Sequence, residues 1–193
     1  DHGFAIMTRR HALELEGDLR SDVAPLNGLV REALQAGGEE VVAMKDPTRG
    51  GLASTLHEMA GKARVGIVLE DAAVPMTAEV RAAAEVLGID PYHVANEGKA
   101  VLGVRPGAAD RVLSALRAHP LGRRAAAVAL GSRDAAGGGH QVLPALVPDV
   151  AAPGGAVVLG ERQRDVAQGE PECDESRRVG GDVVLLAIAT AGV

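Results

Sequence analysis

The sequence predicts a layered α/β domain followed by an extension of different character, and three observations carry that reading. Short apolar runs alternate with amphipathic helical patterns from the first residues to about residue 131. The chain has 193 residues and is 47% hydrophobic, which is enough for one ordinary domain with a sizeable core. Beyond residue 131 the composition turns to Gly, Pro, Ala and charge, which packs poorly.

The elements follow in order. FAIM (4–7) reads as a strand. Pro25 suits the first position of a helix in which Leu26, Leu29, Val30, Ala33 and Leu34 recur at helical spacing and Gly37 closes the end. VVAM (41–44) is the next strand, and after it Leu52, Leu56, Met59, Ala60 and Ala63 form the apolar face of a second helix. VGIVLE (65–70) is a strand, and TAEVRAAAEVLG (77–88) a helix with Thr77 as N-cap and Gly88 past its end. KAVLGV (99–104) is a strand, GAADRVLSALRAH (107–119) a helix and AAAVALG (125–131) a further strand. Periodicity leaves the strand directions open. In residues 132–193 only AVVLG and DVVLLAIATA resemble strands or a short buried segment. The rest reads as a weakly ordered extension, with order least expected around residues 161–181.

Composition also excludes several functions. Aromatic residues make up 1% of the chain, with no Trp, so base stacking on aromatic platforms is not expected. The formal charge of -6 repels nucleic acid and anionic membrane alike, leaving small molecules and other proteins as partners. Cys173 is the one cysteine, so neither an internal disulfide nor a Cys-based structural zinc site can form, and a reducing, cytoplasmic setting is expected. No apolar run approaches the ~18 residues of a membrane-spanning helix. The opening Asp1-His2-Gly3 reads as a turn inside a longer protein.

Two stretches carry candidate chemistry. KDPTRGGLASTLHEMAGK (45–62) runs from a strand through a double-glycine turn into a helix, where free backbone N–H groups and the helix dipole favour an anion. Gly50 and Gly51 would let a phosphate come close, Arg49 could grip it with two parallel donors, and Asp46 could hold a magnesium ion. Equally, Asp46 or Thr48 could be a plain N-cap and the glycines a plain turn. HVANEGK (93–99) sets the amide of Asn96, the carboxylate of Glu97 and the ammonium of Lys99 around one glycine turn before a strand, which suits orienting a polar substrate or moving a proton. A solvated turn of the same composition is the alternative. His57-Glu58 begins like a zincin motif, but position 61 is Gly, so the second ligand is missing. Neither GxGxxG after a strand nor a P-loop is present, and the remaining histidines show no ligand spacing.

Taken in order and spacing, APLNGLV (24–30), MKDPTRGGLASTLHEMA (44–60), VANEGK (94–99) and RAHPLGR (117–123) resemble the C-terminal half of the hydrogenase expression/formation protein HypE family. That family belongs with aminoimidazole ribonucleotide synthetase (PurM), selenophosphate synthetase and thiamine monophosphate kinase. The likeness covers about residues 1–131. It implies an α/β/α layered domain with a mixed sheet, packed against an N-terminal domain that supplies most of the ATP and Mg2+ ligands. It also implies an ATP-dependent carbamoyl dehydratase, which turns an S-carbamoyl cysteine into a thiocyanate for the cyanide ligand of nickel–iron hydrogenase. A homodimer, the carbamoyltransferase HypF and the HypC-HypD iron scaffold are the partners so implied. Carried over by motif, Glu97 is the catalytic carboxylate and Asn96 orients it, while Asp46, Thr48, Arg49, Gly50 and Gly51 line the nucleotide side.

Two departures qualify the likeness. The stretch matching the family's ATP-binding N-terminal half is not in this sequence, so the chain alone is expected to be inactive. Where the family ends on a carrier cysteine, this sequence ends Thr190-Ala191-Gly192-Val193, and the acidic neighbours Glu172, Asp174 and Glu175 disfavour a Cys173 thiolate. A non-catalytic dimerisation or docking scaffold of the same fold, and a sister enzyme of the selenophosphate synthetase or thiamine monophosphate kinase type, are the alternative functions.

Overall fold

A computed structural model describes residues 1–12 and 17–131 with their side chains, and the backbone of residues 132, 156–159 and 183–189. The described residues form helices α1 (His2–Arg10), α2 (Asn27–Gly37), α3 (Gly51–Ala63), α4 (Ala78–Leu87) and α5 (Pro106–Ala118), and strands β1 (Val41–Lys45), β2 (Gly66–Glu70), β3 (Lys99–Val104), β4 (Ala126–Ser132), β5 (Ala156–Leu159) and β6 (Val183–Ala189). Cys173 and residues 161–181 lie outside the described residues.

The first element corrects the sequence reading. FAIM lies inside α1, not in a strand. Four apolar residues are too short a run for periodicity to tell strand from helix, and tertiary packing decides: Phe4 is buried in a cluster with Val80, Ala83, Ala84 and Val94. Inside α1 the Thr8 hydroxyl donates to the Phe4 carbonyl at 2.9 Å. The second correction concerns Pro25. The first helical bond of α2 runs from Val30 N–H to the Leu26 carbonyl, so Pro25 precedes the cap. The other elements lie within one or two residues of their expected bounds. Thr77 caps α4 as expected, its hydroxyl accepting from Val80 N–H at 3.3 Å.

The sheet runs β1-β3-β6-β4-β2-β5. Every pairing among the described strands is antiparallel, where the resemblance implied a mixed sheet. The cause is a matter of connection. The α3 crossover returns the chain in the direction of β1 and the α5 crossover in that of β3, yet neither return strand lands beside its predecessor. Strands of the opposite sense fill the gaps, β6 between β3 and β4 among them.

Alternation along β3 sorts the core into two layers. Ala100, Leu102 and Val104 face α2 and α5, against Leu29, Ala33, Val112 and Leu116. Val101 faces the other way, with Leu52 and Leu56 of α3 and Ile67 and Leu69 of β2. The result is the expected α/β/α layering. No helix among the described residues is long and apolar enough to cross a membrane.

Candidate functional site

The four sequence motifs meet in two pairs. APLNGLV and RAHPLGR come together on the α2/α5 side, where the space beside Gly28 is closed by the His119 ring at 3.3 Å from a would-be Cβ. The turn of residues 45–50 and the loop of residues 93–99 form the other pair, bringing together the two stretches whose residue types suggest chemistry.

The turn leaves β1 and enters α3 through Gly50, whose φ of 72° is left-handed. Gly51 follows with φ of 63°, and a Cβ there would stand 2.3 Å from the Tyr92 carbonyl oxygen and 2.7 Å from that of Val94. Only glycine allows the two backbones so close. The space freed at Gly51 is therefore taken by the neighbouring loop, and that at Gly50 by Ser54. The loops are also bonded directly, Asn96 N–H donating to the Pro47 carbonyl at 3.1 Å.

Neither Asp46 nor Thr48 caps the helix. The Thr48 hydroxyl donates to the Asp46 carboxylate at 2.8 Å, and no side chain caps α3 at its N-terminus. The Gly51 N–H is taken by the Thr48 carbonyl at 3.2 Å, but no side chain neutralises the positive end of the α3 dipole. Arg49 beside it is exposed, as is Asp46.

In the second loop Glu97 is exposed, whereas Asn96 is 9% exposed and turned inward. The Asn96 amide donates to the Val94 carbonyl at 3.2 Å, and its oxygen accepts from the Asp1 backbone nitrogen at 2.6 Å and from Lys99 Nζ at 3.0 Å. Lys99 is not offered to a substrate. Its ammonium pairs with Asp22 at 2.6 Å and Asp1 at 3.0 Å, beneath the loop. Asp22 has a side chain with no exposed surface. Its carboxylate accepts from the backbone N–H of Glu97 at 3.2 Å and of His2 at 3.0 Å. Burial pushes the Asp22 carboxyl up, but the charge and hydrogen bond of Lys99 outweigh it and hold it below its ordinary value. Burial pushes the Lys99 ammonium down, and Asp22 offsets only part of that. Behind the loop, Tyr92 donates its hydroxyl to Asp71, and burial followed by that bond raises the phenol well above its ordinary value.

Asp22 escaped the sequence reading. It stands 77 positions from Lys99 in a stretch without periodicity, and nothing local marks it as buried. The one available signal was Lys99 itself, an ammonium opening a strand of otherwise apolar residues.

A cavity of about 50 Å³ lies where the two loops meet, lined among others by Pro47, Leu52, Tyr92, Asn96 and Lys99. It has room for only a few atoms. The surface outside it suits an anion better: an exposed guanidinium stands beside a helix end that no side chain caps. A magnesium ion does not fit these residues. Asp46 is a single carboxylate already taking a hydroxyl hydrogen bond, and no three metal-binding side chains come together among the described residues.

The family model described as AIR synthase related protein, C-terminal domain, matches residues 1–132. Among curated proteins, carbamoyl dehydratase HypE of Rhizobium leguminosarum bv. viciae is 52% identical over 128 residues, which are 66% of this chain and 37% of that protein. Its counterpart from Bradyrhizobium diazoefficiens is 54% identical over 126 residues, 65% of this chain and 36% of that one. This chain thus spans well under half the length of the relatives it matches. Among solved structures, a HypE-HypF complex superposes with a TM-score of 0.65 at 39% identity, covering 67% of this chain and 42% of that one. The hydrogenase maturation protein HypE in complex with ATP superposes at 0.61 and 38% identity, covering 67% and 38%.

Proposed function

The chain belongs to the family of AIR synthase related proteins through their C-terminal domain, and from that membership we propose that it is the C-terminal domain of an ATP-dependent carbamoyl dehydratase of hydrogenase maturation. The proposed reaction converts an S-carbamoyl cysteine into a thiocyanate, which serves as the source of cyanide for nickel–iron hydrogenase. The observation that supports it most directly is the 3.1 Å bond from Asn96 N–H to the Pro47 carbonyl, which sets the exposed Glu97 beside the exposed Arg49 turn.

The chemistry asks for such a pairing. A carboxamide oxygen leaves poorly, and ATP, when bound, supplies the phosphoryl group that makes it a leaving group. In this chain the role of Arg49 and the positive end of the α3 dipole is to hold phosphate oxygens, with Thr48 and Asp46 shaping the turn and Gly50 and Gly51 bringing it against the second loop. Glu97 accepts one proton from the carboxamide nitrogen as the phosphorylated oxygen departs as inorganic phosphate and the C≡N bond forms, the other nitrogen proton leaving with the phosphate or to water. Asn96 contributes from below by fixing the loop backbone. Any magnesium ion accompanying ATP draws its ligands from outside these residues. A homodimer, acting in the cytoplasm with HypF-type and HypC-HypD-type partners, completes the reading.

The test is ATP-dependent thiocyanate formation by the full gene product from an S-carbamoyl cysteine, supplied on a carrier peptide where the gene product has none of its own. Glu97→Gln should lower the rate about 100-fold with ATP affinity kept. Arg49→Ala should instead weaken ATP binding about tenfold. Full activity in both variants would overturn the assignment.

A further inference from the structure

From its place beneath the Glu97 loop we infer that Asp22 is a positioning residue, a buried carboxylate that fixes the backbone on which Glu97 is presented. The inference rests on the catalytic reading of Glu97. One carboxylate oxygen accepts from the N–H of Glu97 itself at 3.2 Å and from that of His2 at 3.0 Å, while the other takes Lys99 Nζ at 2.6 Å. Asp22 therefore grips the Asn96–Lys99 loop at two points. The Asn96 N–H bond to Pro47 supplies a third on the other side, against the Arg49 turn.

Two physical points separate this from ordinary core filling. Two apolar side chains would stabilise such a site about as well as a buried ion pair, so an ion pair there is weak as a stability device and better suited to fixing one geometry. Besides that, a carboxylate needed only to neutralise Lys99 has no need of a Glu97 amide hydrogen. That bond is charge-assisted, and it lies one residue's backbone away from the side chain whose direction matters for proton transfer. Glu97 is left exposed on a backbone held from beneath.

The experiment compares Asp22→Asn with the double variant Asp22→Asn/Lys99→Met in the full gene product, reading kcat, the KM for ATP and thermal unfolding. Hydrogen exchange at the Glu97 amide is read alongside by NMR. Asp22→Asn leaves a buried ammonium with a weakened partner and should cost folding stability on that account alone; the double variant removes that charge and should recover most of the loss, the remainder being the Asp1 carboxylate that Lys99 also paired. The expected result is a double variant more stable than Asp22→Asn alone, with kcat still lower than wild type by about 10- to 100-fold, KM for ATP within about twofold and Glu97 amide exchange faster by about tenfold. Recovery of kcat together with stability would show the pair to be structural and overturn the inference. So would unchanged exchange at the Glu97 amide. A wild-type protein without dehydratase activity would defeat the reading of Glu97 as catalytic, while exchange would still decide whether Asp22 holds the loop.

Discussion

Gly51 shows how much a single missing Cβ can decide. Its φ of 63° and the Tyr92 carbonyl oxygen 2.3 Å from a would-be Cβ predict that Gly51→Ala destabilises the domain by about 2–4 kcal/mol, read as a lower urea midpoint at constant slope. Gly107 predicts the opposite. It lies in α5 with open space around its would-be Cβ, so Gly107→Ala should stabilise by about 0.4–1 kcal/mol. Both are plain glycines in the sequence. The DPTRGG turn was legible as a special backbone because two adjacent glycines precede a helical pattern, but not the reason for it. That reason is another loop's carbonyl groups, 41 and 43 positions along the chain at residues 92 and 94.

At the scale of elements, the helices differ in what secures them. α4 has a side-chain cap, and Thr77→Ala should cost about 1 kcal/mol, measured by chemical denaturation. α3 has none, and its anchor is burial: Leu56 is fully buried against β2 and β3, so Leu56→Ala should cost about 2–5 kcal/mol. Such differences explain which elements could be read in advance. α4 and α5 were legible because each is a long amphipathic stretch, with the Thr77 cap agreeing in α4. α1 was not, because FAIM is a short apolar run and its partners Val80 and Ala83 stand on a helix more than seventy residues away. Strand order was likewise closed to periodicity, which reports the face a side chain takes and says nothing of the neighbouring strand.

For the molecule as a whole, the Asp22–Lys99 pair ties the segment before α2 to the start of β3, and this predicts how stability depends on pH. The Asp22 carboxyl is held below its ordinary value in the folded state, so its contribution is present above the unfolded value of 3.8 and is lost as pH falls through the lower folded one. Lys99 acts in the opposite sense, because its lowered ammonium value means that burial penalises the charged form. Unfolding free energies between pH 7 and 3 should fall more steeply in the wild type than in Asp22→Asn/Lys99→Met, where neither group titrates. Equal slopes would show that the pair makes no net contribution to acid sensitivity. The sequence by itself determined the α/β layering and most element bounds, and it marked the two candidate loops, because hydrophobic period, caps and glycine turns act over a few residues. Only the tertiary structure decided that α1 is a helix, that every described strand pairing is antiparallel and that a buried Asp22 underlies Glu97. Those outcomes depend on contacts between residues far apart in the chain, where burial and charge pairing leave no local pattern to read.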